Sequence, residues 1–177
     1  MIIASALKRL LEGLEVDLNI DGQNVTTELN FHYGDNKELA AWIVNNKNSK
    51  RYPLVWYVVE PYYDQENGFK EVSSKLIIFQ NTKPEWLNTT RSIETYDAII
   101  EPVWIKVKEV LERNPFISIL GDRPKRWRIK DEPNYGVNDS SDTDFTNTQK
   151  RGEKSVSLDI VDGRIIEINF RIKTNCI

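Results

Sequence analysis

Three stretches of the chain place apolar residues three and four positions apart, which is the spacing of amphipathic helices. They are residues 2–14, 35–47 and 92–113. In the second, Asp35 is followed three residues later by Glu38, a capping-box pattern at a helix start. The third contains Pro102, and a proline removes a backbone hydrogen bond and clashes with the preceding turn. We therefore expect a kink there, or two consecutive helices.

Other stretches alternate apolar and polar residues, which is typical of half-buried strands. Residues 16–20 and 25–31 alternate around the turn pair Asp21-Gly22, so a hairpin is possible, although the second run fits an extended connection equally well. Alternation on both sides of Asp162-Gly163 predicts a closing hairpin, because this dipeptide favours a two-residue turn. NPFISIL, residues 114–120, fits an edge strand or the tail of a helix.

Two further runs are apolar on both faces, which is typical of central strands covered on both sides. They are LVWYVV at 54–59, which follows Pro53, and LIIF at 76–79. We expect them to pair antiparallel, joined by a polar loop of roughly ten residues. Tyr62 and Tyr63 then fall at a strand end, where they are candidates for contact with a partner.

These elements predict an α+β fold. It has a mixed, mainly antiparallel sheet, an N-terminal helix and one long kinked helix packed across the sheet. A chain of 177 residues is expected to form a single domain, 1–177. Residues 136–155 have almost no large apolar side chains, so we expect a flexible polar insertion there.

Composition narrows the possible functions. The formal net charge is −3 and 40% of residues are hydrophobic, which is typical of a soluble globular protein and argues against a broad nucleic-acid footprint. Cys176 is the single cysteine, so no intramolecular disulfide can form. No stretch approaches the ~20 apolar residues of a membrane span. The N-terminus lacks the order of a signal peptide, so we expect a cytoplasmic protein.

Motifs of catalysis and metal binding are absent from the sequence. His32 is the single histidine and has no evident partner, so a half-exposed strand histidine is expected. Asp139, Asp142 and Asp144 have the spacing of a calcium loop but lack its glycine and bidentate glutamate. We therefore expect no cofactor, no metal and no enzymatic activity. Paired carboxylates of a hydrolase stay an open alternative, because their separation depends on the fold.

A basic segment surrounds Trp127. Its cationic residues include Arg123, Lys125, Arg126 and Arg128. Such a segment fits stacking and phosphate contacts in a small nucleic-acid-binding or adaptor module, contact with an acidic protein surface, or a solvated basic turn.

The order of elements resembles the tail terminator, or tail-completion, proteins of long-tailed bacteriophages. Most of the chain takes part in the resemblance. It is carried by YPLVWYV at 52–58, KLIIFQN at 75–81, Arg91 with the helix IIEPVWIKVKEVL at 99–111, and VSLDIVDGRIIEINFRI at 156–172. In the last of these, Asp159 and Asp162 match the D-x-x-D element of the family. This chain is longer than compact members of the family, mainly through residues 121–155.

The resemblance implies a non-enzymatic subunit of a virion ring, often a hexamer, that joins the tail tube to the neck or head connector. Its partners are then further copies of itself and the tail tube and connector proteins. Nucleic acid at most passes through its channel, and no membrane is involved. The expected location is the tail or neck of the virion, and the host cytoplasm during assembly. Expected interface residues are Tyr62, Tyr63, Arg123, Lys125, Arg126, Trp127, Arg128, Asp159 and Asp162.

Deleting residues 137–152 is predicted to leave a folded monomer and to weaken assembly. The segment has too little apolar surface to support the core, and its ordering on assembly must be offset by partner contacts. Circular dichroism of the deleted chain checks folding, and light scattering checks assembly. Loss of the folded monomer contradicts this prediction.

Overall fold

The computed structural model describes residues 2–45, 52–65, 68–83, 85–121, 126–133, 135 and 161–173. Its helices are α1 (Ile2–Leu11), α2 (Asn36–Asn45), α3 (Asn88–Arg91) and α4 (Glu101–Arg113), and a π-helical segment, Ser92–Ile100, joins α3 to α4. Its strands are β1 (Glu15–Ile20), β2 (Gln23–Glu28), β3 (Asn30–Gly34), β4 (Leu54–Val58), β5 (Tyr62–Gln65), β6 (Phe69–Asn81), β7 (Ile117–Ile119), β8 (Trp127–Glu132) and β9 (Val161–Lys173). The predicted insertion at 136–155 lies outside the described residues.

The main sheet has the strand order β3-β4-β6-β9-β7, with β5 beside β6 and β8 beside β9. β3 and β4 run parallel, and the other described pairs are antiparallel. The long strands β6 and β9 pair along their whole length, from Phe69 opposite Lys173 to Asn81 opposite Val161. This mixed, mainly antiparallel sheet with its helices confirms the predicted α+β fold. The predicted pairing of the two apolar runs is confirmed by β4 and β6, and β7 is the predicted edge strand.

The core lies on both faces of this sheet. On one face, which we call the helix face, Val55 and Ile78 pack with α1 and α4 in the larger hydrophobic cluster. On the other face, Trp56 and Phe79 pack with Leu39 of α2 in a smaller cluster. β4 is therefore buried on both sides, as its continuous apolar sequence predicts.

Local signals near the N-terminus act as predicted. β1 and β2 form a hairpin whose turn residues, Asp21 and Gly22, have φ of 53° and 76°, as a primed turn requires. In the capping box of α2, the Glu38 amide donates to Asp35 Oδ1 and the Asp35 amide donates to Glu38 Oε2, both at 2.8 Å.

The helical run 88–113 changes its hydrogen-bond register just before Pro102. The amide of Glu101 donates to the carbonyl of Tyr96, five residues earlier rather than four. A proline ring clashes with the carbonyl four residues before it in an α-helix. The predicted interruption at Pro102 is therefore a change from π-helix to α-helix within one joined helix.

A buried ion pair joins α3 to the start of β9. Arg91 Nη1 donates to Asp162 Oδ1 at 2.6 Å, and their side chains are 2% and 0% exposed. The remaining donors of Arg91 reach the backbone, since Nε donates to the Trp86 carbonyl and Nη2 to the Lys83 carbonyl. This one guanidinium thus holds the connection before α3 against the sheet.

The predicted closing hairpin is wrong, because β9 runs straight through Asp162 and Gly163. Asp162 points to the helix face and is held there by Arg91. Gly163 lies on the opposite face, where an added Cβ would come within 3.2 Å of the Tyr135 ring and 3.3 Å of the Phe79 ring. The glycine therefore permits close packing of two aromatic rings on a strand rather than a turn.

The loop predicted between the two apolar runs is also shorter than expected. β6 begins at Phe69, and β5 pairs with it from Tyr62 opposite Val72 to Gln65 opposite Phe69. Polar residues such as Asp64 form part of a strand here because β5 lies at the margin of the sheet and all four of its residues are exposed.

Replacing Arg91 with Met is expected to lower the free energy of unfolding by about 3–5 kcal/mol, because the Asp162 carboxylate is left buried without its cation. Urea denaturation measures the change. The matched control is Arg113→Met, because Arg113 forms a surface pair with Glu109 and is 79% exposed. It should lose at most about 0.5 kcal/mol. Equal losses in the two variants contradict a structural role for the buried pair.

Candidate interaction surface on the open half of the sheet

On the face of the sheet opposite the helix face, the side chains of β6 change from exposed to buried along the strand. Ile77 and Phe79 are buried under the smaller cluster, whereas Ser73 and Lys75 on the same face are exposed. β9 repeats this change, because Val161 is buried and Asn169 is exposed. Half of this face is therefore left open within the described residues, and we call it the open half-face.

The open half-face contains a shallow polar groove of about 500 Å³. Residues of β6, β8 and β9 line it, together with neighbours at its ends. The lining residues are Glu60, Ser73, Ser74, Lys75, Arg126, Arg128, Glu167 and Asn169. Charged and hydroxyl groups dominate this lining, so the groove suits a polar or charged partner.

Charges of both signs alternate across the strands. Arg128 Nη1 lies 3.1 Å from Glu167 Oε2, with the two side chains 83% and 42% exposed. Arg171 and Glu71 form a second such pair at 3.1 Å. Solvent-exposed pairs of this kind contribute little to folding, so their charges can rearrange toward a partner. Lys75 makes no ion pair to another residue in the described part of the chain.

β8 is fixed in place by Arg164 of β9. Arg164 Nε and Nη2 donate to the two carboxylate oxygens of Asp131 at 2.6 and 3.0 Å. Its third nitrogen pairs with Glu101 of α4. Burial alone would lower the pKa of Arg164, but the hydrogen bonds to Asp131 and Glu101 outweigh it and raise the pKa. β8 is thus anchored to both the sheet and the helix layer.

Trp127 belongs to the core rather than to the open half-face. Its ring meets Trp104 edge-on, with centroids 4.9 Å apart, and its Nε1 donates to Glu112 at 3.3 Å. Because Trp127 lies opposite Ile168, it points to the helix face. The ring is therefore partly buried by this packing against the helix layer.

The two predicted tyrosines lie on β5, beside the open half-face. Tyr63 is 74% exposed and lies opposite Glu71, whereas Tyr62 lies opposite Val72 on the helix face. Lys70 Nζ approaches the Tyr62 ring to 4.4 Å from its centroid. Tyr63 is therefore placed to extend the open half-face, and Tyr62 is engaged by Lys70.

The structure places the predicted interface residues in different environments. Arg126 and Arg128 line the groove. Asp162 is fully buried against Arg91, away from the open half-face. Arg123, Lys125 and Asp159 lie outside the described residues.

Several residues of the open half-face were missed in the sequence. Lys75 and Glu167 lie opposite each other on β6 and β9, and Arg128 lies opposite Glu167 on β8. Polar residues alternate with apolar ones at these positions, and this alternation indicates that the polar side chains lie on the exposed face of each strand. Their grouping depends on the register of three strands distant in sequence.

His32 is half-buried on β3, as expected of a strand histidine. Its ring stacks on Trp56 with centroids 5.2 Å apart and meets Trp42 at 5.5 Å. Among the described residues, no group of three His, Cys, Asp or Glu side chains is placed to hold a metal ion. No helix in that part of the chain is long and apolar enough to cross a membrane.

No protein-family model matches the chain, and a search of curated proteins finds no significant match.

Replacing Trp127 with Ala is expected to lower the free energy of unfolding by about 2 kcal/mol, because its contact with Trp104 is lost. The control Arg128→Ala, one residue along the same strand, should change it by less than about 0.5 kcal/mol. Thermal or urea denaturation measures both. An unchanged stability in the Trp127 variant would show that the ring has no packing role.

Proposed function

We propose that this chain is a non-enzymatic structural subunit of a phage tail or neck ring, of the tail terminator or connector-like kind. Copies of the chain assemble into a ring, a hexamer by the resemblance, that joins the tail tube to the head connector. The ring belongs to the tail or neck of the virion and forms in the host cytoplasm.

The open half-face is the observation that carries this proposal. It is polar and lined by charged side chains such as Lys75 and Arg128, with Tyr63 exposed at its side. Small-molecule sites are instead concave and mostly apolar. Exposed arginine and tyrosine beside polar groups are typical of surfaces that contact proteins. We therefore interpret this face, half of which is left open by the described residues, as a contact with another subunit.

The segments that carry the resemblance also meet in space. YPLVWYV contains β4, and KLIIFQN contains the whole β6 segment, 75–79, that pairs with it. Arg91 and Asp162, which are 71 positions apart, form the buried ion pair. If the chain shares the fold of this family, its motif residues should pack together in one core. These contacts fit that expectation and support the proposal.

The proposal predicts a discrete oligomer larger than a dimer, because a ring forms when one patch meets a different patch on the next copy. Light scattering coupled to size exclusion, over a range of concentrations, measures the mass, and negative-stain images check for rings. The same samples are titrated with a DNA duplex at two salt concentrations. A strict monomer whose DNA affinity falls steeply with salt contradicts the proposal and favours a nucleic-acid-binding module.

A further inference from the structure

The β1–β2 hairpin is acidic along its whole length. Residues 15–28 contain four Asp or Glu residues and no Lys or Arg, and no cationic residue occurs between Arg9 and Lys37. Glu15 and Glu28 are exposed and lie directly opposite each other in the hairpin register. Like charges in this position are destabilising. Neither glutamate pairs with a cation in the part of the chain that the structure describes.

The groove of the open half-face is lined by three cationic residues and two acidic ones. The segment RPKRWRIK, residues 123–130, contains five Lys or Arg residues and no acidic residue. Of these, Arg126 and Arg128 line the groove together with Lys75 of β6. Arg128 is held by Glu167 only through an exposed pair, so it can turn to a second carboxylate at little energetic cost.

The acidic hairpin and the open half-face lie on opposite sides of the same molecule. Val16 and Leu18 of β1 are buried in the core cluster of the helix face, which fixes the hairpin on that side. The open half-face is the opposite side of the sheet, where Lys75 is exposed. A hairpin therefore cannot reach the groove of its own chain, and the two charged surfaces can meet only between copies.

We propose that the open half-face of one copy binds the acidic β1–β2 hairpin of the next copy. This rests on the proposed ring function and names its subunit contact. Glu15 and Glu28 of the hairpin face Arg126 and Arg128 of the groove, which removes the like-charge repulsion within the hairpin. Because the two surfaces differ, the contact runs head to tail, and repetition closes a ring if the rotation between copies permits it.

Charge reversal tests this contact. The hairpin variant is Glu15→Lys with Glu28→Lys, and the groove variant is Arg126→Glu with Arg128→Glu. Each alone places like charges across the contact, so the concentration needed for assembly should rise at least about tenfold. In an equimolar mixture the two variants can alternate around a hexamer, which restores opposite charges at every contact, so the mixture should assemble as the wild type does. Light scattering measures assembly, and circular dichroism checks that each variant is folded.

The control is Glu85→Lys with Asp97→Lys, which raises the net charge by four, as the hairpin variant does, at exposed positions outside the hairpin and the groove. It should assemble as the wild type does. If the wild type assembles and the hairpin and groove variants assemble equally well, this contact is wrong and the ring proposal stands. If the mixture fails to assemble, the contact is likewise wrong. A wild type that stays monomeric at every concentration contradicts both proposals, and DNA binding lost only in the groove variant assigns the groove to nucleic acid.

Discussion

The buried ion pair between Arg91 and Asp162 is the constraint on which the arrangement of this fold depends. Charges of this kind are costly to bury unless each is paired and its remaining polar atoms are satisfied. Arg91 meets this condition by also donating to the carbonyls of Lys83 and Trp86. The pair therefore fixes the position of the start of the long helix over the sheet. It also fixes Asp162 as the residue of β9 that faces this helix. With that residue set, alternation along β9 decides the side on which every later side chain lies.

The same alternation separates the two surfaces of the proposed subunit contact. On β9, Ile166 and Ile168 face the helices, while Glu167 and Asn169 face the open side. The helix face is covered in part by the β1–β2 hairpin, which carries negative charge outward. The open half-face carries Arg126 and Arg128. Opposite charge on opposite sides of one subunit favours head-to-tail contacts and disfavours the symmetric pairing of identical surfaces.

Much of the fold follows from local patterns in the sequence. The helical stripes, the capping box at Asp35 and the turn at Asp21-Gly22 act over a few residues, so local chemistry is enough to predict them. Asp162-Gly163 has the same turn chemistry and forms no turn. There the buried pair with Arg91 and the rings packed on Gly163 stabilise the strand by more than the turn propensity of Asp-Gly opposes it. Contacts between residues far apart in sequence override turn propensity in this way.

For the candidate surface, too, some properties follow from local sequence and others depend on the tertiary structure. The sequence by itself determined that β4 and the apolar half of β6 are central strands, that residues 123–130 are basic and that residues 15–28 are acidic, because these properties belong to single segments. Only the tertiary structure decided that Trp127 packs on Trp104 while Arg128 faces the open side, and that Lys75 and Glu167 share one groove. Each of these depends on strand register, and a shift of one residue would exchange the two faces.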